Sequence, residues 1–512
     1  MTDHKRYAAI DQGTTGTRVL VFDDYPSAPV KLPAENHVYA STALIHRQIT
    51  PKNGWVEHDA LEILENIKLC LASPKLGDLA NLAAIGLSHQ GESVVAWNAD
   101  TGKPIYNAIV WQDLRTEDVI VRLKNQGAEA LVKERTGLPL DAYFSATKIA
   151  WLIENIAQAK PLLAQGKLRI GTMDSFFIDH LCGVYCTDYN SASRTSLFNI
   201  HTLKWDKDLC SLFNVPIQCL APIRDNIGEI GRVCIEKTLI QSVPLTASIV
   251  DQFAGIYGHG CRNDGDAKAT FGTGAFLQCL TGHTLNTAAD SGLLPTLCWK
   301  FPDEAPVFGL DGGVYNAASA LNWARKVGLF ESFDELDHFA DEPAILRGLA
   351  FIPALSGLGC PYWDRSASGL WAGISLDTEN KDLLQSILEG IAIRSAQVIR
   401  AMDQITPLGE DISIDGGLSA NRYFKQFLAN ILNRNILSSN HQEKTALGTA
   451  LLARKGLALQ DSSIKNSDKS LNIKQIVDIT KPHAINRNLI LENYTLMVER
   501  SRGLRHLNPS QD

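Results

Sequence analysis

The sequence predicts an α/β protein of two domains built on a similar plan. The chain has 512 residues, more than one compact core usually holds. Residues 7–23, YAAIDQGTTGTRVLVFD, read as strand, tight turn and strand. Residues 267–280, AKATFGTGAFLQCL, repeat that device about half a chain later. Finally, DISIDGG leads through Gly416 and Gly417 into ANRYFKQFLANILN, the strand, glycine turn and helix of a mixed α/β nucleotide-binding domain.

Composition narrows the function. Hydrophobic residues make up 45% and charged residues 20%, as in ordinary globular proteins, and the net charge of −8 argues against a nucleic-acid partner. No apolar run is long enough for a membrane span, and the N-terminus lacks a secretory h-region. The ten cysteines are scattered; Cys182 and Cys186 form the closest pair, with no second pair at metal-ligand spacing. Reduced thiols in a cytoplasmic protein are therefore expected.

Between the two hairpins, DALEILENIKLCLA has helical apolar spacing with Asp59 as N-cap, and residues 380–402 form a long amphipathic helix. The expected domains are 1–254 and 255–455, followed by an extension, 456–512, that is polar to about 476 and then helical.

Three turns are candidate anion cradles. In DQGTTGTR, Gly13 and Gly16 let backbone N–H groups approach an anion, Thr14, Thr15 and Thr17 add hydroxyls, and Arg18 adds a fixed charge. Asp11, at the strand end, can hold Mg²⁺ directly or through water. An ordinary hairpin with a salt-bridged arginine fits the same residues, and the motif is not the P-loop pattern. FGTGAF, with Thr273 between two glycines, is the second cradle or a plain turn. DGGLSAN is the third, with Gly417 and Asn421 facing a nucleoside, or with Asn421 as a helix cap. Three such turns after apolar runs together favour nucleotide binding.

These blocks, with GWVEHD, GKPIYNAIVWQDLRT, TGLPLDAYFSATKIAWL, TDYNSASRTSLFNIHTLKWD and GLGCPYWD, resemble the FGGY family of carbohydrate kinases over about residues 7–455. The resemblance implies two RNase H-like domains of the actin/hexokinase ATPase fold, closing over ATP–Mg²⁺ and a polyol in an interdomain cleft. It also implies homodimers or homotetramers. The expected reaction phosphorylates a terminal hydroxyl of glycerol to give sn-glycerol 3-phosphate and ADP. By position, Thr14, Thr15, Gly16, Arg18 and Thr273 would meet the nucleotide phosphates, and Gly417 and Asn421 the adenosine. Ala318 and Asn322 stand where the family has nucleotide-contacting Gly and Gln. Glu92, Trp111, Tyr143, Asp251, Gln252 and Phe276 match the polyol side, with Asp251 as the general base that takes the hydroxyl proton. Read without the resemblance, Asp251 is first a solvated cap of helix DQFAGIYG, and Trp111 fits a core residue at least as well.

One stretch departs from that pattern. Glycerol-phosphorylating members read Asn-Gln-Arg-Glu-Thr at residues 89–93; this chain reads His-Gln-Gly-Glu-Ser. The arginine missing at Gly91 would donate charge-assisted hydrogen bonds worth ~1.5–3 kcal/mol, so its loss predicts about 10- to 100-fold weaker glycerol binding unless something compensates. The vacated volume is expected to take a longer polyol or ketose, or to be refilled by His89 or water. A nucleotide-binding regulator without turnover is the reading from another class; the intact Asp11, Asp251 and Gly-Thr turns weigh against it.

Overall fold

A computed structural model describes residues 5–23, 38–235, 240, 242–286, 291–439, 443–461, 464 and 477–507. The chain divides into two compact units. The first is Met1–Gly260, Thr296–Phe308 and Glu443–Lys474; the second is Cys261–Pro295, Gly309–Gln442 and Gln475–Asp512.

In the first unit a six-stranded sheet runs in the order Ile227–Val233, Val243–Val250, Leu82–His89, Arg6–Gln12, Gly16–Asp23 and Val38–Ile45. Arg6–Gln12 and Gly16–Asp23 form the antiparallel hairpin read from the sequence, closed by Gly13 N–H donating to Gly16 O at 2.9 Å. Arg6–Gln12, Leu82–His89 and Val243–Val250 run parallel. Buried on both faces, they are continuous apolar runs rather than alternating ones.

The second unit repeats this plan. The hairpin Ala267–Phe271/Ala275–Gly282 is antiparallel, Asp411–Gly416 and Asn435–Ser439 add in parallel, and Val477–Thr480 closes the edge antiparallel. Its core gathers on the long helix Asn380–Asp403, where Ile387, Leu388, Ile391, Ala392 and Ile399 are buried.

Local chemistry explains the element ends. Asp59 caps helix Ala60–Leu71 by accepting from Leu61 N and Glu62 N. After Gly416, whose φ of 86° suits glycine, a 3₁₀ turn Gly417–Ala420 intervenes, so helix Arg422–Leu432 begins later than its apolar pattern suggests.

The continuous span 255–455 differs from the observed division in two places. Helix Asp251–Gly258 runs through position 254 and stays wholly in the first unit. Helix Lys444–Ala458 also belongs to the first unit, where it packs on helix Asp251–Gly258 and on the parallel strands. Glycines permit that approach. A Cβ at Gly258 would lie 1.9 Å from Lys444 O, one at Gly448 1.8 Å from Ala254 O, and one at Gly86 2.6 Å from Thr449 O. Of the polar segment 456–476, residues 462–463 and 465–476 lie outside the described residues; helix Arg487–Ser501 follows it.

Gly448→Ala should therefore destabilise the first unit by ~1–3 kcal/mol, as overpacking does. Gly409→Ala, whose Cβ would meet its nearest atom at 3.8 Å, should be near neutral. Urea unfolding of the two variants checks this.

Candidate active site

The ends of three parallel strands of the first unit assemble one candidate site. Gln12 and Val250 both lie opposite His89 in the ladder, so Asp11, the segment from Gln90 to Glu92, and Asp251 emerge at one sheet edge. Asp251 opens its helix, and Gln252 N donates to its Oδ1 at 2.7 Å. Desolvation, then the neighbouring Asp11 carboxylate, push the Asp251 carboxyl up to about 7. Asp11 is itself pushed up to about 6, by burial first and with Glu443 adding to it, while Arg18 opposes. Ser88 Oγ, at 3.4 Å, is a long contact to the Asp11 carboxylate.

Thr14 is hydrogen-bonded through both its side chain and its carbonyl. Its hydroxyl oxygen accepts from Trp111 Nε1 at 3.1 Å, and its carbonyl accepts from His46 and Gln48. Thr15 is exposed at the tip of the turn. A Cβ at Gly16 would lie 2.8 Å from Leu44 O, so the turn leaves no room there for a side chain. Arg18 is turned to Glu443, with Nη1 at 2.7 and 2.6 Å from the two carboxylate oxygens.

Trp111 and Tyr143, expected on the polyol side, meet edge to face with ring centroids 5.4 Å apart, an apolar corner suited to a short carbon chain. Glu92 is buried and adopts φ 58°, a left-handed conformation that costs a non-glycine residue ~1–3 kcal/mol. Ser145 Oγ donates to its carbonyl, and Arg194 Nε donates to its carboxylate at 2.6 Å. Gln252 lies one residue beyond Asp251, half-buried.

Sequence reasoning assigned no role to Arg194 or Lys148, though both stand in quoted blocks. Lys148 Nζ donates to the carbonyls of Ala142, Tyr143 and Phe144, which fixes the Tyr143 loop. The signal was present: a lysine and an arginine inside otherwise apolar or small-residue stretches need buried partners.

A side chain at position 91 would meet Val250. A Cβ built there would lie 2.9 Å from Val250 Cγ1, and Val250 is a stiff, buried side chain directly before Asp251. Nor does His89 fill the place: its ring nitrogens meet Gln90 O at 3.0 Å and Ser191 Oγ at 2.9 Å. Val250 Cγ1 thus stands against the place where the first carbon of a side chain at position 91 would go.

In the second unit, Thr273 is exposed at its turn, and its carbonyl accepts from Ala317 N and Ser319 N. A Cβ at Gly274 would lie 2.7 Å from Val314 O. Phe276 follows on the returning strand, half-buried. Ala318 and Asn322 sit one helical turn apart on helix Ala318–Lys326, Asn322 exposed. Phe271 pairs with Gly416, so the Gly-Thr-Gly and Gly-Gly turns end neighbouring strands. Gly417 is open, with nothing within 4 Å of a built Cβ. Asn421 is committed to structure: Oδ1 accepts from Phe424 N, while Nδ2 donates to Leu336 O and Asp337 Oδ1.

The chemistry of these donors suits a nucleotide-dependent transfer. Two closely placed carboxylates with raised proton affinity fit a divalent cation, and Asp11, with only one weak donor, is the residue free to hold it. All ten cysteines are free thiols, and among the described residues no helix is long and apolar enough to cross a membrane.

The packing at position 91 makes a testable demand. Gly91→Arg should press on Val250, displace Asp251 and lower kcat/KM by roughly tenfold or more. Adding Val250→Ala should recover part of that loss. Steady-state kinetics of the single and double variants check it; equal activity in all three would show that residue 91 does not bear on Val250.

Comparison with known proteins places this geometry. The N-terminal domain of the FGGY family of carbohydrate kinases matches residues 6–258 and its C-terminal domain residues 267–456. A glycerol kinase of Geobacter sp. (strain M21) is 37% identical over 462 residues, 89% of this chain and 91% of the relative. One from Haloferax volcanii is 37% identical over 476 residues, covering 90% and 91%. The crystal structure of Plasmodium falciparum glycerol kinase with ADP superposes with TM-score 0.87 at 30% identity, over 97% of this chain and 98% of that one. A xylulose kinase from Lactobacillus acidophilus shares the fold at TM-score 0.81 and 21% identity, over 99% of both chains. With both domains matched in order along the chain, this protein belongs to the FGGY family of carbohydrate kinases.

Proposed function

We propose that the protein is an ATP-dependent kinase that phosphorylates a terminal hydroxyl of glycerol, giving sn-glycerol 3-phosphate and ADP. The observation that carries this reading is Asp251: a raised carboxylate at a parallel strand end, beside Asp11 and Glu92, in a chain similar to glycerol kinases over most of its length. Trp111 and Tyr143 offer the wall for the carbon chain, and the Arg194-held Glu92 offers an acceptor for hydroxyls. The similarity to glycerol kinases over most of the chain favours glycerol over a longer polyol or ketose.

In this reading Asp251 accepts the proton as the substrate oxygen bonds to the γ-phosphorus and the bond to ADP breaks. Thr14, Thr15, Gly16 and, from the second unit, Thr273 hold the phosphates. Arg18 joins them on leaving Glu443. Asp11 would hold Mg²⁺, which would supply charge neutralisation at the phosphates. The Gly416–Gly417 turn presents a flat backbone face to the nucleoside, which Asn421 shapes through its links to Asp337 and Phe424. Ala318 and Asn322 complete the nucleotide side, and Gln252 and Phe276 the polyol side. Domain closure and assembly into dimers or tetramers belong to the same reading.

ADP release with a panel of polyols and sugars tests it. Glycerol should give the highest kcat/KM; a better ketose would replace the substrate, and no turnover with any acceptor would leave a nucleotide-binding regulator. Asp251→Asn should lower kcat by ~10²-fold or more while nucleotide binding survives. Because the base must be ionised, kcat/KM should be flat above about 7 and fall tenfold per pH unit below it. A profile flat down to pH 5 would remove Asp251 from the role.

A further inference from the structure

A hydrogen-bonded ring in the first unit joins the phosphate turn to the polyol wall, and most of its members have no part in the reaction above. Trp111 N donates to Ser93 Oγ at 3.1 Å, and Ser93 Oγ donates to Gln90 Oε1 at 3.1 Å. Gln90 Nε2 then donates to His58 Nδ1 at 3.2 Å. His58 Nε2 contacts Gln48 Oε1 at 2.9 Å, and Gln48 Nε2 donates to Thr14 O at 2.9 Å. Trp111 Nε1 closes the ring on Thr14 Oγ1 at 3.1 Å.

Every link runs from Trp111 towards Thr14, and only one form of His58 permits it. An amide N–H faces Nδ1, so that nitrogen must accept; an amide oxygen faces Nε2, so that nitrogen must carry the hydrogen. The ring is therefore neutral. Burial, then nearby His46, push the His58 imidazole down to about 3, consistent with this. His58 is fully buried between the two amides. A second branch leaves Gln90 for Gln12 Oε1 at 3.4 Å, and Gln12 Nε2 donates to Gly13 O at 2.7 Å.

We infer that His58 is a positioning residue that couples nucleotide binding at the Thr14 turn to polyol binding at Trp111. The coupling rests on the kinase reading above. Hydrogen bonds in a chain polarise one another, so a phosphate that orders Thr14 also tightens the donors fixing Trp111 and Gln90. Gln90 sits directly before Gly91 and Glu92, so the ring also reaches the acceptor side of the polyol.

The test compares three variants with the parent by calorimetry and kinetics. His58→Phe keeps a similar volume but leaves Gln90 and Gln48 without their partner. His58→Gln restores one acceptor and one donor. Gln48→Leu breaks the ring at an exposed link, where folding is not at stake. A non-hydrolysable ATP analogue should tighten glycerol binding by the parent. His58→Phe and Gln48→Leu should abolish that effect and raise the glycerol KM by roughly tenfold, with kcat changed far less. His58→Gln should stay within about threefold of the parent. The inference is overturned if the parent shows no coupling, if His58→Phe and Gln48→Leu keep it, or if His58→Gln is as impaired as His58→Phe. Absence of turnover in the parent overturns the kinase reading alone, because the binding measurements decide the coupling without it.

Discussion

Gln12, His89 and Val250 stand in one row of a parallel ladder, and the residue following each leaves the sheet at the same level. A slip of one residue would turn every side chain of a strand to the opposite face. Here it would carry Asp251 away from Asp11 and Gln90 away from His58. The register is held from below by glycines. Gly86, Gly258 and Gly448 bring helix Lys444–Ala458 against the strands and against the helix that starts at Asp251. The position of the candidate base thus follows from backbone packing more than from any contact its own carboxylate makes.

That dependence explains what the sequence disclosed. Hairpins flanking DQGTTG and FGTG, the capped helix after Asp59, and the strand before Asp251 were legible, because each is written in contiguous residues. The return of Glu443–Lys474 to the first unit was not, because nothing local in that segment says which sheet will receive it. The surroundings of position 91 were not legible for a related reason. Absence of an arginine reads as empty space, yet Val250, 159 residues away in sequence, stands against the place of a side chain's first carbon. The raised proton affinities of Asp11 and Asp251 likewise require knowing that two distant carboxylates stand at the ends of strands flanking Leu82–His89.

Glu92 is paired with the guanidinium of Arg194, which follows helix Tyr189–Ser193. A buried ion pair is costly to break, since it leaves one charge unpaired, so Arg194 fixes the Glu92 carboxylate more firmly than an exposed partner would. The strained backbone of Glu92 is retained by the same contacts, a sign that its orientation matters more than its stability.

Both units use one device at the tip of the hairpin, and the two tips differ in what constrains them. In the first, Gly16 yields to a carbonyl of the edge strand, and Thr14 is bound to the Trp111 ring. In the second, Gly274 yields to Val314 O, and the Thr273 carbonyl receives the amides that open helix Ala318–Lys326. Threonine hydroxyls are left at the surface of rigid turns in each case, with their backbone already satisfied. In the proposed reaction a phosphate arriving there would meet donors whose ordering cost was met on folding, the preorganisation that a transfer reaction with little covalent chemistry of its own requires.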